Sequence, residues 1–165
     1  MKEVREWYNK NAEYNVRSSG YNSFVASAPL QEIQVDLFNM KSKKEGDVYR
    51  MGMAGIDIFT KKAMAVAIPD KKKESLLEAM KIIFKEIGKP KVLMTDEEGG
   101  LVSNFVSDYL KKEGITYIVN RNHAPFVERF IRTLKAMISK RLIKRPDVHW
   151  YDLLEVFIVY NGKFG

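Results

Sequence analysis

The hydrophobic period first changes near residue 70, from strand runs to a helix that opens a strand and helix alternation, and nothing else in the sequence constrains the fold as strongly. Before that point apolar residues come in three short runs: Glu32 to Met40, Val48 to Phe59 and Ala63 to Ile68. Charged turns separate them, Lys41 to Asp47 with Gly46 as breaker, then Thr60-Lys61-Lys62. Consecutive strands joined by short turns predict an antiparallel meander. Beyond it, Leu76, Leu77, Met80, Ile83, Phe84 and Ile87 recur at helical spacing, and Gly88 with Pro90 stops that helix. Lys91 to Thr95 then reads as a short buried strand and Leu101 to Glu113 as a helix closed by Gly114. Ile115 to Val119 reads as a further strand, Ala124 to Ile143 as a long helix and Trp150 to Tyr160 as a final one. A meander followed by strand and helix alternation implies an α/β fold. Its sheet should be five-stranded and mixed, three antiparallel strands plus two parallel, with helices on both faces. Residues 1–22 read as a short helix around Lys2 to Glu13 and a linker, leaving 23–165 as the core. The closing residues, Asn161 to Gly165, suggest a fragment of something longer.

Composition narrows the partners. The chain has 165 residues, enough for one domain with a real core, and its 45% apolar content suits a globular protein. No apolar run approaches the roughly 20 residues that cross a bilayer, and no signal-peptide pattern opens the chain, so an intracellular, non-secreted protein is expected. Cysteine is absent, which excludes disulfides and thiolate metal sites. His123 and His149 cannot by themselves complete a zinc finger. A net charge of +7 favours an anionic partner, nucleic acid above all.

Against that basic background three acidic residues stand out by position. Asp36 lies inside the first apolar run, Asp96 at the end of another, and Glu128 near the start of the long helix. A carboxylate among apolar neighbours is costly unless something cationic compensates it. Three converging carboxylates would repel one another, and a divalent metal such as magnesium is the natural compensation. Asp96 precedes Glu97-Glu98-Gly99-Gly100, a loop whose glycines permit close backbone approach to a ligand. Each residue also has a plainer reading. Asp96 could begin a turn or cap the next helix, and Asp36 could face solvent. Glu128 could pair with Arg132 one turn along.

At about 100° per residue, Glu128, Arg132, Lys135 and Ser139 share one stripe of the long helix, beside an apolar stripe of Val127, Ile131, Leu134 and Ile138. Phe126, Phe130 and Met137 widen the apolar arc. Glu128 therefore sits at the border of the buried face, followed by a basic ridge suited to DNA phosphates.

The stretch Val127-Glu128-Arg129-Phe130-Ile131-Arg132-Thr133-Leu134-Lys135 resembles the catalytic-helix signature of retrovirus-type (DDE) integrases. Gln34-Val35-Asp36 resembles their first-strand aspartate, Met53 to Thr60 their second strand, and Thr95-Asp96 their second aspartate. The resemblance spans about 30 to 160, and its flavour is nearest to Maverick/Polinton and virophage integrases. It implies a ribonuclease-H-like fold and a two-metal polynucleotidyl transferase in which Asp36, Asp96 and Glu128 hold magnesium, or manganese in its place. That activity would trim the 3′ ends of element DNA and join them to target DNA. Candidate DNA contacts are Asn122, His123, Arg132, Lys135 and Lys140, with Lys71 to Lys73, Arg141 and Lys144 as further phosphate contacts. A homodimer or larger homo-oligomer, double-stranded DNA as partner and a host nucleus complete what the resemblance implies.

This chain departs from the family pattern in three places. The interval from Asp96 to Glu128 is short, which implies a shortened loop around Asn120 to His123. Glu97 or Glu98 could enter the metal site, and Ile131 replaces a frequent asparagine. Asp57 competes with Asp36 for the first-strand role. Two other functions fit the same fold: a DNA-binding or assembly module without chemistry, and a hydrolase that cleaves RNA strands.

Overall fold

A computed structural model describes residues 25–41, 44–96, 101, 103–120, 123–156, 159–160 and 163–164. The helix expected around Lys2 to Glu13 lies outside them. The meander forms as its turns predict: β1 (Glu32–Asn39), β2 (Met51–Asp57) and β3 (Ala63–Ile68) pair antiparallel, with Asp36 opposite Ala54 and Ala54 opposite Ala65. Helix α1 (Lys73–Ile87) then carries the chain back across the sheet, so that β4 (Val92–Asp96) lies parallel to β1. Gly88, at φ +124°, ends α1 in a conformation that side chains resist, and its N–H still reaches the Phe84 carbonyl at 2.9 Å. A second crossover, α2 (Asn104–Lys112), places β5 (Thr116–Asn120) parallel to β4. Helix α3 (Pro125–Lys144) follows directly.

The sheet order is β5-β4-β1-β2-β3-β6-β7. Its body is the expected mixed five-stranded sheet. The last two strands, β6 (Val159–Tyr160) and β7 (Lys163–Phe164), are two residues each and extend the β3 edge. They correct one expectation. Trp150 to Tyr160 is not an α-helix: Trp150–Val156 is a 3₁₀ helix, and Val159 pairs with Ala63. Val159 and Tyr160, one β-branched and one aromatic, suit a pleated strand. Trp150 sets the start of this segment by donating its indole N–H to the Tyr49 carbonyl at 2.9 Å and meeting Phe38 edge-on.

Strand alternation divides the core into two layers. Ile33, Val35, Met53 and Leu93 pack with Met80, Ile83 and Phe84 of α1 and Val106 and Leu110 of α2. On the other face, Phe38, Ala54, Ile56, Ala63 and Ala65 pack under Val127, Phe130, Ile131, Leu134 and Ile138 of α3. The small side chains of β2 and β3 let α3 lie close to the sheet. Val127, Leu134 and Ile138 are fully buried, each burial worth about 1.5–3 kcal/mol. At Gly52 a Cβ would lie 2.5 Å from the Phe38 ring, so only glycine fits beneath that residue.

Candidate active site

The parallel ladder between β1 and β4 joins Glu32 to Val92, Ile33 to Leu93 and Gln34 to Met94. Carried two residues further, the same offset sets Asp36 alongside Asp96. Side-chain alternation puts them on one face. Asp36 has the parity of Phe38, and Asp96 that of Met94, and both of those residues pack in the α3 layer. Glu128 lies in the first turn of α3. The start of that helix is tied to β1, because Gln34 Oε1 accepts from the N–H groups of Phe126 at 3.0 Å and Val127 at 3.3 Å. Two neighbouring strands and the helix over them thus carry the three carboxylates on one side of the sheet. Asp96 stands at the carboxyl end of its strand, where open α/β sheets bind ligands.

The side chains have individual partners. Asp36 Oδ1 accepts from the Leu37 N–H at 2.8 Å. Asp96 Oδ1 is buried and has no hydrogen-bond partner among the described residues. Glu128 Oε1 turns back on its own helix, accepting from Ala124 N–H at 3.2 Å and lying 3.6 Å from His123 Nδ1. The basic side chain beside it is therefore His123 and not Arg132. Among the described residues no three Asp, Glu or His side chains stand close enough together to hold an ion. The donor chemistry nevertheless suits a hard divalent cation: three carboxylates, no thiolate, and one buried oxygen left unsatisfied. Glu97, Glu98 and Asn122 lie outside the described residues.

Asp57 has a different task. It shares the parity of Met53 and Gly55, whose face meets Ile83 of α1. There it is 1% exposed and accepts from Leu30 N–H, Phe59 N–H and the Thr60 hydroxyl at 2.9–3.2 Å. These bonds close the turn after β2, where Lys61 adopts a positive φ.

The basic candidates divide by exposure. Arg132 and Lys140 are exposed along α3, as are Arg141 and Lys144, while Lys135 is half-buried with its ammonium 6.0 Å over the Phe38 ring. His123 is 78% exposed. On the far side of the molecule, Lys73 lies over the Phe105 ring at 5.2 Å. A hollow of about 570 Å³ opens at the other end of α3, between Met40, Ser139, Ile143 and Trp150, and no candidate carboxylate lines it.

Sequence reasoning missed the polar residues that support the site. Gln34 is 2% exposed and Glu32 3% exposed, both on the α3 face. Burial pushes the Glu32 carboxyl above its ordinary value, partly offset by a hydrogen bond from the Gln34 side chain. Thr95 and Tyr117 hydroxyls meet at 2.7 Å. Burial raises the Tyr117 phenol, its bond to Thr95 opposes this, and the nearby Asp96 charge adds to the rise. The available signal was period two: Glu32, Gln34 and Asp36 are polar at every second position of an apolar strand.

The HTLV-2 integrase catalytic core domain, solved in complex with magnesium, superposes with a TM-score of 0.69 at 18% identity, covering 79% of this chain and 84% of that one. The fold is that of a retroviral integrase catalytic core. A simian T-cell lymphotropic virus intasome chain matches similarly, with a TM-score of 0.70 at 18% identity, over 79% of this chain and 48% of its own. By sequence, an uncharacterized transposon-derived protein of Caenorhabditis elegans is 27% identical over 123 residues, 73% of this chain and 42% of its own length. The retrovirus-related Pol polyprotein from transposon 297 of Drosophila melanogaster is 29% identical over 138 residues, 81% of this chain and 12% of its own. The chain thus spans less than half the length of these curated relatives. No family model matches it. Among the described residues no helix is long and apolar enough to cross a membrane.

Proposed function

We propose that this chain is the catalytic core of a DNA integrase, a metal-dependent polynucleotidyl transferase acting on the ends of a mobile element. The observation that carries the reading is the β1–β4 register: continued two residues beyond Gln34 and Met94, its offset would bring Asp36 beside Asp96, with Glu128 in the first turn of the helix that Gln34 ties to β1. The fold match to retroviral integrase cores and the transposon-derived relatives support it. Asp36, Asp96 and Glu128 would hold magnesium or manganese. Such an ion supplies Lewis-acid stabilisation of the charge that builds up during in-line displacement at phosphorus. To join it, Glu128 must release Ala124 N–H and swing from His123 towards the strands. Arg132, Lys135, Lys140, Asn122 and His123 would hold phosphates of double-stranded DNA, with His123 beside Glu128. When water attacks, the new O–P bond forms as the bond to the 3′ oxygen breaks, and a 3′ end is trimmed. When that 3′-hydroxyl attacks target DNA, the same exchange joins the two strands.

The core would comprise 23–165 behind an N-terminal helix and linker at 1–22. It would work as a homo-oligomer in a host nucleus, within an element of Maverick/Polinton or virophage character. A second reading draws on two observations: Glu128 is turned onto its own helix, and among the described residues no three-residue ligand group is assembled. On that reading the chain is an inactive DNA-binding or assembly module of the same fold. Strand transfer with oligonucleotides bearing the element's ends, in magnesium or manganese, separates the two. The transferase reading requires that wild type join DNA and that Asp96→Asn lose about a hundredfold or more. DNA binding without joining by either protein makes the chain a binding module, and equal joining by both removes Asp96 from the chemistry.

A further inference from the structure

The start of α3 is held in an unusual way. Its N-cap residue, Ala124, offers no side-chain cap, and Pro125 has no N–H. The next two amides, Phe126 and Val127, are the orphan donors that every helix start must satisfy. Both go to Gln34 Oε1, 92 and 93 residues earlier in the chain. With its oxygen committed to two donors, the Gln34 amide must direct its NH₂ elsewhere, and the Glu32 carboxyl accepts from it. Glu32 is almost fully buried, and its Oε1 finds no partner among the described residues. A buried acid of this kind, two residues before the capping amide and four before Asp36, is too costly to be incidental.

We propose that Glu32 and Gln34 are positioning residues: Glu32 fixes the flip of the Gln34 amide, and Gln34 locks the first turn of α3, and with it Glu128, in register with Asp36. This deepens the integrase reading and rests on it for its catalytic consequence. The lock acts through geometry, with Gln34 serving as a cross-sheet cap two residues from Asp36 on the same strand face. An N-cap on α3 itself would hold the helix start together without tying it to β1.

Chemistry suggests the test. Gln34→Met removes the acceptor at similar volume. Gln34→Glu keeps acceptor oxygens but faces Glu32 with a second carboxylate. The exchange Glu32→Gln with Gln34→Glu restores donor and acceptor in swapped positions. Two measurements apply: hydrogen exchange of the Phe126 and Val127 amides, with Met80 and Ile83 of α1 as internal controls, and strand-transfer turnover against KM for DNA. Gln34→Met and Gln34→Glu should each speed exchange at 126 and 127 about tenfold while the α1 amides hold. Turnover should fall by about the same factor with KM nearly unchanged, and the swapped pair should recover both.

The proposal is overturned by unchanged exchange at 126 and 127 in the single variants. It is equally overturned by a swapped pair no better than Gln34→Glu, or by faster exchange with full turnover. Should Gln34→Met fail to fold, Gln34→Glu and the swapped pair still decide. If wild type joins no DNA, the integrase reading fails, while the exchange measurement continues to judge the lock on its own.

Discussion

At the residue scale, burial separates the acidic side chains into different roles. Asp57 is buried and fully engaged in its turn, whereas Asp96 is half-buried with an oxygen left over. Glu32 is buried with a single neutral partner, and its protonation is therefore coupled to folding. The folded state keeps that proton to a higher pH than the unfolded chain, where the ordinary value is 4.5. Between the two values the folded state binds more protons, so Glu32 withdraws stability as pH rises through that window. Glu32→Gln removes the titration and keeps an acceptor for Gln34. Urea unfolding across this range should show the variant matching wild type at acid pH and gaining on it as pH rises, then levelling. A stability difference that stays flat with pH would show that Glu32 is solvated after all.

The same residues show where reading a sequence succeeds and where it stops. The strand positions of Asp36 and Asp96 were legible because the apolar runs around them mark β1 and β4. Gln34 was not, because its meaning lies in two amides more than ninety residues away. Nor does residue type reveal that Glu128 curls back to Ala124, since rotamer choice depends on the local backbone.

Among the elements, β1, β3, β4 and α1–α3 followed their periods because each buries a face against a partner layer, whereas β2 is buried on both faces and the largely exposed β5 is held by its ladder to β4. Helix α3 is the clearest case: its apolar stripe was countable in sequence, and Val127, Ile131, Leu134 and Ile138 are all buried. The final segment went the other way. A short run rich in Val, Ile, Phe and Tyr fits either period, and only the free edge of β3 decides for strand pairing. The two sides of α3 should respond differently to truncation. Leu134→Ala opens a void under the helix and should cost about 2–5 kcal/mol in chemical denaturation. Arg132→Ala, on the exposed side, should stay within about 0.5 kcal/mol of wild type. Similar destabilisation at both positions would mean that the apolar stripe of α3 does not face the sheet.

For the whole molecule, the question is how the net charge of +7 is distributed around the carboxylates. Anionic DNA must approach acidic side chains, which repel it unless cations of the protein or bound metal intervene. On α3 Arg132, Lys140, Arg141 and Lys144 are exposed, and on the proposed integrase reading their field would attract a phosphate backbone along the helix towards the carboxylates. Lysines on the α1 side, such as exposed Lys85, contribute to net charge but not to that track. Salt titration distinguishes a track from a uniformly basic surface. Removing one side chain that neutralises a phosphate should flatten the slope of log affinity against log salt by roughly one. Arg132→Ala and Lys140→Ala should each do so for double-stranded DNA, measured by fluorescence anisotropy over a range of salt. Lys85→Ala, which removes the same charge from the opposite layer, should leave the slope in place. If all three flatten it equally, binding follows net charge alone, and the α3 ridge has no special claim on the DNA.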